Sequence, residues 1–147
     1  KSKLFSRYWY GYISSEKEHE VDVIQGAYFL VWKKILDSVG WFDEDYFLDG
    51  EDIDLCWKIK KKGWKIVYYP QVSILHLKGA TKGKTKKTAA WEVPLKEKMK
   101  FRMSSVNSME IFYRKRMWAN YPLIINILVI LGIRFVKLIR LVKIFLE

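Results

Sequence analysis

The sequence predicts an α/β fold that ends in long helices, and three observations carry that expectation. Short apolar runs rich in β-formers, such as Gly26–Trp32 and Trp64–Tyr69, alternate with segments that read as helices. Half of the residues are hydrophobic and 16% are aromatic, which excludes disorder of the whole chain. The length of 147 residues suits one domain with a core and cramps two.

Each element follows from local chemistry. Residues 1–20 mix aromatics with a polar run and show no period. Gly26–Trp32 is short and apolar and reads as a buried strand. Lys33–Val39 makes two helical turns, stopped by Gly40. The acidic and aromatic stretch Trp41–Gly50 has no period and reads as a loop. Glu51–Lys62 is predicted as a helix because acids crowd its first turn and lysines its last, both favourable to the macrodipole. Ile53, Cys56, Trp57 and Ile59 supply its apolar positions, and Gly63 ends it. Trp64–Tyr69 reads as a strand closed by Pro70, and Val72–His76 as another. Residues 78–88 form a basic loop, and a helical pattern interrupted near Pro94 runs from Ala89 to about Trp118.

The final segment differs in kind. Pro122–Ile133 is almost wholly apolar, and Arg134, Lys137, Arg140 and Lys143 follow among aliphatic residues. The uninterrupted apolar part is shorter than the ~20 residues of a spanning helix. Basic residues on one side of an apolar helix suit the surface of an anionic leaflet. A buried core or oligomer helix and a true span are the other readings. The expected organisation is therefore an N-terminal segment (1–20), a central unit (21–118) and a basic amphipathic membrane-associated helix (119–147).

Charge and cysteine content narrow the function classes. A formal charge of +11 points to an anionic partner: a membrane surface, a nucleic acid or a phosphorylated substrate. A single cysteine, Cys56, forms no internal disulfide, and no Cys/His cluster reads as a zinc site.

The stretch Gly50-Glu-Asp-Ile-Asp-Leu-Cys56 is the most informative. Carboxylates opening a helix complement its dipole or cap it. Glu51 and Asp52 point in different directions, so at most one caps and the other is available as a general base on an alcohol. His76 closes a predicted strand, where a lone histidine is structural unless carboxylates converge on it. Gly26 marks either a bend or a close backbone approach to a ligand.

Five motifs occur in order: Gln25-Gly26-Ala27, Val39-Gly-Trp-Phe-Asp-Glu44, Phe47-Leu-Asp-Gly-Glu-Asp-Ile-Asp-Leu55, Gly63-Trp-Lys-Ile-Val-Tyr-Tyr-Pro70 and His76-Leu-Lys-Gly79. Together they resemble the C-terminal half of a family 2 glycosyltransferase of the GT-A fold (a mixed sheet with flanking helices), close to the rhamnosyltransferase-like group. Ser108-Met-Glu-Ile-Phe-Tyr-Arg-Lys115 resembles that group's trailing helix. The resemblance covers roughly residues 21–116 and implies an inverting transfer from a nucleotide-sugar donor to a glycan or lipid-linked acceptor hydroxyl. It implies Asp52 as catalytic base and His76 as a ligand of a divalent cation, Mg2+ or Mn2+, on the donor diphosphate. Gly26 and Ala27 lie where the acceptor site meets the sheet, Trp41, Phe42, Asp43 and Glu44 wall it, and Glu51 holds sugar hydroxyls. The resemblance and the basic helix together place the chain at the cytoplasmic face of the cell membrane.

The family's nucleotide-binding half and its Asp-x-Asp motif have no counterpart in residues 1–20. The chain begins at Lys1 rather than Met. The expectation is a fragment, or one half of a split enzyme, inactive alone and associating with the missing half or with itself. The rival reading is a non-enzymatic basic module that holds anionic lipid or nucleic acid. Because interleaved aromatic and basic residues are thin, nucleic acid is not the expected partner.

Overall fold

The computed structural model describes residues 10–76 and 94–146. Strand β1 (His19–Val21) is followed by helices α1 (Lys33–Val39) and α2 (Glu51–Lys61) and strand β2 (Ile66–Tyr68). Helix α3 (Leu95–Phe112) continues into a π-helical turn (Tyr113–Met117) and a 3-10 turn (Trp118–Asn120) before helix α4 (Leu123–Leu146).

The helix ends follow the sequence closely because they are set by neighbouring residues. Gly40 ends α1 with φ +82°, and the N–H groups of Gly40 and Trp41 both reach the Leu36 carbonyl. At the end of α2, Gly63 adopts φ +85°, its N–H bonds Lys60 O, and the Trp64 N–H bonds Ile59 O. That pair of bonds is a Schellman motif, satisfying carbonyls that the helix leaves open.

The sheet is smaller than predicted. β1 and β2 pair antiparallel, with Val21 opposite Ile66 and His19 opposite Tyr68. Val21 and Ile66 share the buried face. β1 falls in the polar run where no strand was expected, because its partner lies far along the chain. The predicted strands at 26–32 and 72–76 are irregular segments: Leu30 is 85% exposed and Leu75 90%. An apolar run becomes a strand only where another strand takes its backbone groups, and no described segment does so here. The predicted mixed sheet is thus a two-stranded ribbon among the described residues. The basic loop at 78–88 lies outside the described residues.

Two packed units result. Leu36 of α1, Leu55, Cys56 and Ile59 of α2, and the Val21/Ile66 pair form one core. Ile53 of α2, an expected core position, is 40% exposed. The inward face of α2 holds the expected Cys56 and Ile59 together with Leu55 and Asp54. Burial of Cys56 raises its thiol pKa above the ordinary value, opposing thiolate chemistry. In the second unit α3 and α4 form an antiparallel pair: Arg140 meets Ser105, Arg134 meets Glu110 and Asn126 meets Tyr113. Met103, Val106, Ile130 and Ile133 are its buried apolar residues.

Candidate active site

Asp52 sits in the first turn of α2, behind an N-cap glycine. Gly50 takes φ +93°, and a Cβ there would lie 2.8 Å from the Ser108 Cβ, so both backbone and space call for glycine. The Asp52 carboxylate is half-buried and oriented by two backbone donors. Oδ2 accepts the Gly26 N–H at 2.8 Å and Oδ1 accepts the Ile53 N–H at 2.8 Å. A carboxylate has about four lone-pair sites, so each oxygen keeps one for a hydroxyl. The structure therefore joins two of the sequence-predicted residues, Gly26 and Asp52, across 26 positions. A Cβ on Gly26 would meet Asp52 only at ordinary van der Waals distance, 3.5 Å. What Asp52 uses at position 26 is the N–H, which every residue except proline supplies.

Exposed aromatic residues follow Gly26 along the chain. Tyr28, Trp32, Trp41 and Phe42 are all exposed, and Phe29 and Phe42 rings lie 6.1 Å apart. Trp41 holds φ +56°, a strained left-handed conformation for a non-glycine residue. Three contacts sustain it. Its indole N–H donates to Asp37 Oδ1 at 2.9 Å, Lys33 Nζ lies 5.9 Å from its ring centroid, and Lys58 Nζ donates to its carbonyl.

The other predicted residues fall into three situations. Ala27 and Glu44 are exposed, and Glu51 is half-buried beside Asp52 in the same helical turn. Asp43 is committed to internal bonds: Lys115 Nζ lies 2.7 and 2.8 Å from its two oxygens, and Arg116 Nη2 is 3.4 Å away. Burial works to raise the Asp43 carboxyl pKa. The Lys115 bond, the Asp45 N–H and the nearby cations outweigh it and hold the value below the ordinary one. His76 is exposed at the end of the described segment. Among the described residues no three His, Cys, Asp or Glu side chains converge as a metal site. His76 and its described neighbours therefore do not complete a cation site by themselves.

The residue that sequence reasoning misjudged is Asp54. It was expected to complement the α2 dipole, yet it is fully buried. Arg116 grips it with Nε–Oδ1 at 2.6 Å and Nη2–Oδ2 at 3.0 Å, the Tyr46 hydroxyl donates to Oδ1 at 3.3 Å, and Lys58 stands 3.6 Å from Oδ2. Burial first, and then the Asp54 charge, push the Tyr46 phenol well above its ordinary pKa. Asp49 adds further ties: Ser104 donates to its carboxylate and Ser108 to its carbonyl. The loop 41–50 and the start of α2 are thus fastened to α3 and the π-helical turn. The one local signal was an aspartate next to the apolar Leu55 and Cys56, on the inward side of the helix. Its partner is 62 residues away, beyond any spacing rule.

Comparison with known proteins shows the family. Residues 8–99 match the family described as Glycosyltransferase like family 2. Over 67 residues the chain is 39% identical to two proteins named N-acetylglucosaminyl-diphospho-decaprenol L-rhamnosyltransferase, from Mycobacterium tuberculosis strains CDC 1551 / Oshkosh and ATCC 25618 / H37Rv. The match covers 46% of this chain and 22% of each relative, so the chain spans only a minor part of their length. No solved structure matches the chain. With well over half of its residues matched, the chain belongs to the glycosyltransferase-like family 2.

Proposed function

We propose that this chain is the acceptor-side half of an inverting, GT-A-type glycosyltransferase. The observation that carries the reading is the Asp52 carboxylate, held by the Gly26 and Ile53 N–H groups, in a chain whose segments 26–32 and 41–50 expose aromatic side chains. In the proposed reaction an acceptor hydroxyl gives its proton to Asp52 while its oxygen attacks the anomeric carbon of a nucleotide-sugar. The new carbon–oxygen bond forms as the bond to the diphosphate breaks, and the nucleoside diphosphate leaves with that electron pair. One in-line displacement inverts the configuration. Asp52 acts as general base, and the two backbone donors keep its free lone pairs in a constant direction.

Glu51, Ala27, Trp41 and Glu44 are assigned to the acceptor side. Asp43 contributes by holding the loop to Lys115 and Arg116 rather than by touching sugar. The donor's nucleotide is assigned to protein outside this chain, either the rest of a longer polypeptide or a partner. His76 is proposed as one ligand of a divalent cation whose remaining ligands lie outside the described residues. A lipid-linked acceptor is favoured because the relatives carry a lipid-linked diphosphosugar in their names. A position at the cytoplasmic face of a membrane belongs to the same reading, and the basic, apolar character of α4 supports it.

The test is Asp52→Asn in the complete enzyme. Loss of about 10²-fold or more in transfer, with unfolding unchanged, is the expected result. Turnover within a few-fold of the unmodified enzyme removes Asp52 as the base.

A further inference from the structure

We infer that α4 rests on an anionic bilayer through the face turned away from α3, and that the groove between α3 and α4 receives a lipid phosphate. The inference deepens the membrane part of the proposed function and is independent of the transfer chemistry.

The two faces of α4 are chemically distinct. Asn126, Ile130 and Ile133 are buried, and with the half-buried Lys137 and Arg140 they follow the spacing of one helical stripe turned to α3. The opposite stripe is Ile124, Leu128, Leu131, Phe135, Leu138 and Val142, every one at least half exposed. α4 holds four basic residues and no acidic one. Lys137 and Arg140 lie on the α3 side, and Arg134 and Lys143 lie on its shoulders. The outward stripe therefore carries no charge. A face of this size is costly to leave in water. Among the described residues no helix is long and apolar enough to cross a membrane. An interfacial position is the geometry that places this stripe in acyl chains and these cations in headgroups.

The groove supports the same orientation. It has a volume of about 510 Å³ between α3 and α4, with Lys96, Lys100 and Lys137 at its walls, Glu97 beside them, and Met103 and Leu141 among its apolar lining. Three lysines against one glutamate in the lining favour an anion, with Lys100 also holding its Nζ 3.7 Å from the centroid of the Phe47 ring. A helix is about 10 Å across, and an interfacial helix sinks ~5–10 Å into the headgroup–acyl boundary. The α3–α4 seam then stands at the depth of the phosphates. Charge on the rest of this region agrees: from residue 94 to the C-terminus there are eleven Lys and Arg against three Asp and Glu.

Flotation of the full chain with phosphatidylcholine vesicles, with and without phosphatidylglycerol, tests the inference over a salt series. The triple variant K96Q/K100Q/K137Q is expected to weaken binding to the anionic vesicles by about fivefold per lysine. It should flatten the salt dependence and leave neutral vesicles unaffected. L131S/F135S, both on the exposed stripe, should weaken binding to both vesicle types. Circular dichroism of each variant confirms that it is folded. Unchanged anionic binding in the lysine variant overturns the groove while the membrane reading stands. No vesicle binding by the unmodified chain overturns both. A concentration-dependent dimer that L131S/F135S disperses, in a chain that ignores vesicles, assigns the stripe to a second copy and overturns the lipid.

Discussion

Replacing Arg116 by Met tests how the N-terminal end of α2, which carries the proposed base Asp52, is held. Asp54 is fully buried, and Arg116 approaches both of its oxygens, at 2.6 and 3.0 Å. Two unit charges ~4 Å apart attract by about 4 kcal/mol at an effective dielectric of ~20. Removing one partner of such a buried pair costs about 3–5 kcal/mol, because the remaining charge is left desolvated. Lys58 at 3.6 Å and the Tyr46 hydroxyl at 3.3 Å still face Asp54, so the expected loss is near the lower end, about 3 kcal/mol. Asp54→Asn should cost less, about 1–2 kcal/mol, since Arg116 is 21% exposed and retains Asp43 at 3.4 Å. The double variant D54L/R116M removes both charges and should recover much of the loss, with a coupling energy of about 2 kcal/mol. Urea unfolding followed by circular dichroism measures all three. A loss below about 1 kcal/mol for R116M, or strict additivity in the double variant, refutes the argument that this pair anchors α2.

Three further outcomes follow from the geometry. Asp43 has its folded-state pKa lowered, so it binds fewer protons folded than unfolded. Its stabilisation is present above the ordinary aspartate value of about 3.9 and is lost as pH falls through the lower folded value. The stability gap between the unmodified chain and Asp43→Asn should therefore shrink on acidification below about pH 4, and a constant gap in urea melts contradicts it. Gly50→Ala meets both a φ of +93° and the Ser108 Cβ at 2.8 Å, whereas Gly63→Ala has φ +85° and open space. The second should cost only the backbone term, about 1–2 kcal/mol, and the first clearly more; equal losses in thermal melts would remove the close approach of Ser108. For the proposed cation site, His76→Ala in the complete enzyme should raise the divalent-metal concentration needed for transfer, and an unchanged metal titration excludes His76.

Helix boundaries and charge placement were legible because adjacent residues set them. Gly40 and Gly63 stop α1 and α2 through positive φ, and the acid-to-lysine gradient along Glu51–Lys62 marks α2 without reference to anything distant. The motif around Asp52 was legible as an ordered set of residues, and the bond from Gly26 brings two of its members together. Of the strands only β2 was legible, inside the predicted run Trp64–Tyr69. The apolar run at 26–32 looked more strand-like than the polar stretch that contains β1, yet only the latter finds a partner in β2.

What the sequence by itself determined is therefore local: two helices with their caps, the acidic loop between them and the apolar, basic character of α4. Tertiary structure alone decided the rest. It buried Asp54 under Arg116, tied Asp43 to Lys115 and Arg116, and turned the basic side of α4 towards α3 so that its outer stripe is uncharged. The reason is physical. A cap or a turn is settled by backbone torsions within a few residues, whereas an ion pair or a strand needs a partner that only the path of the whole chain delivers.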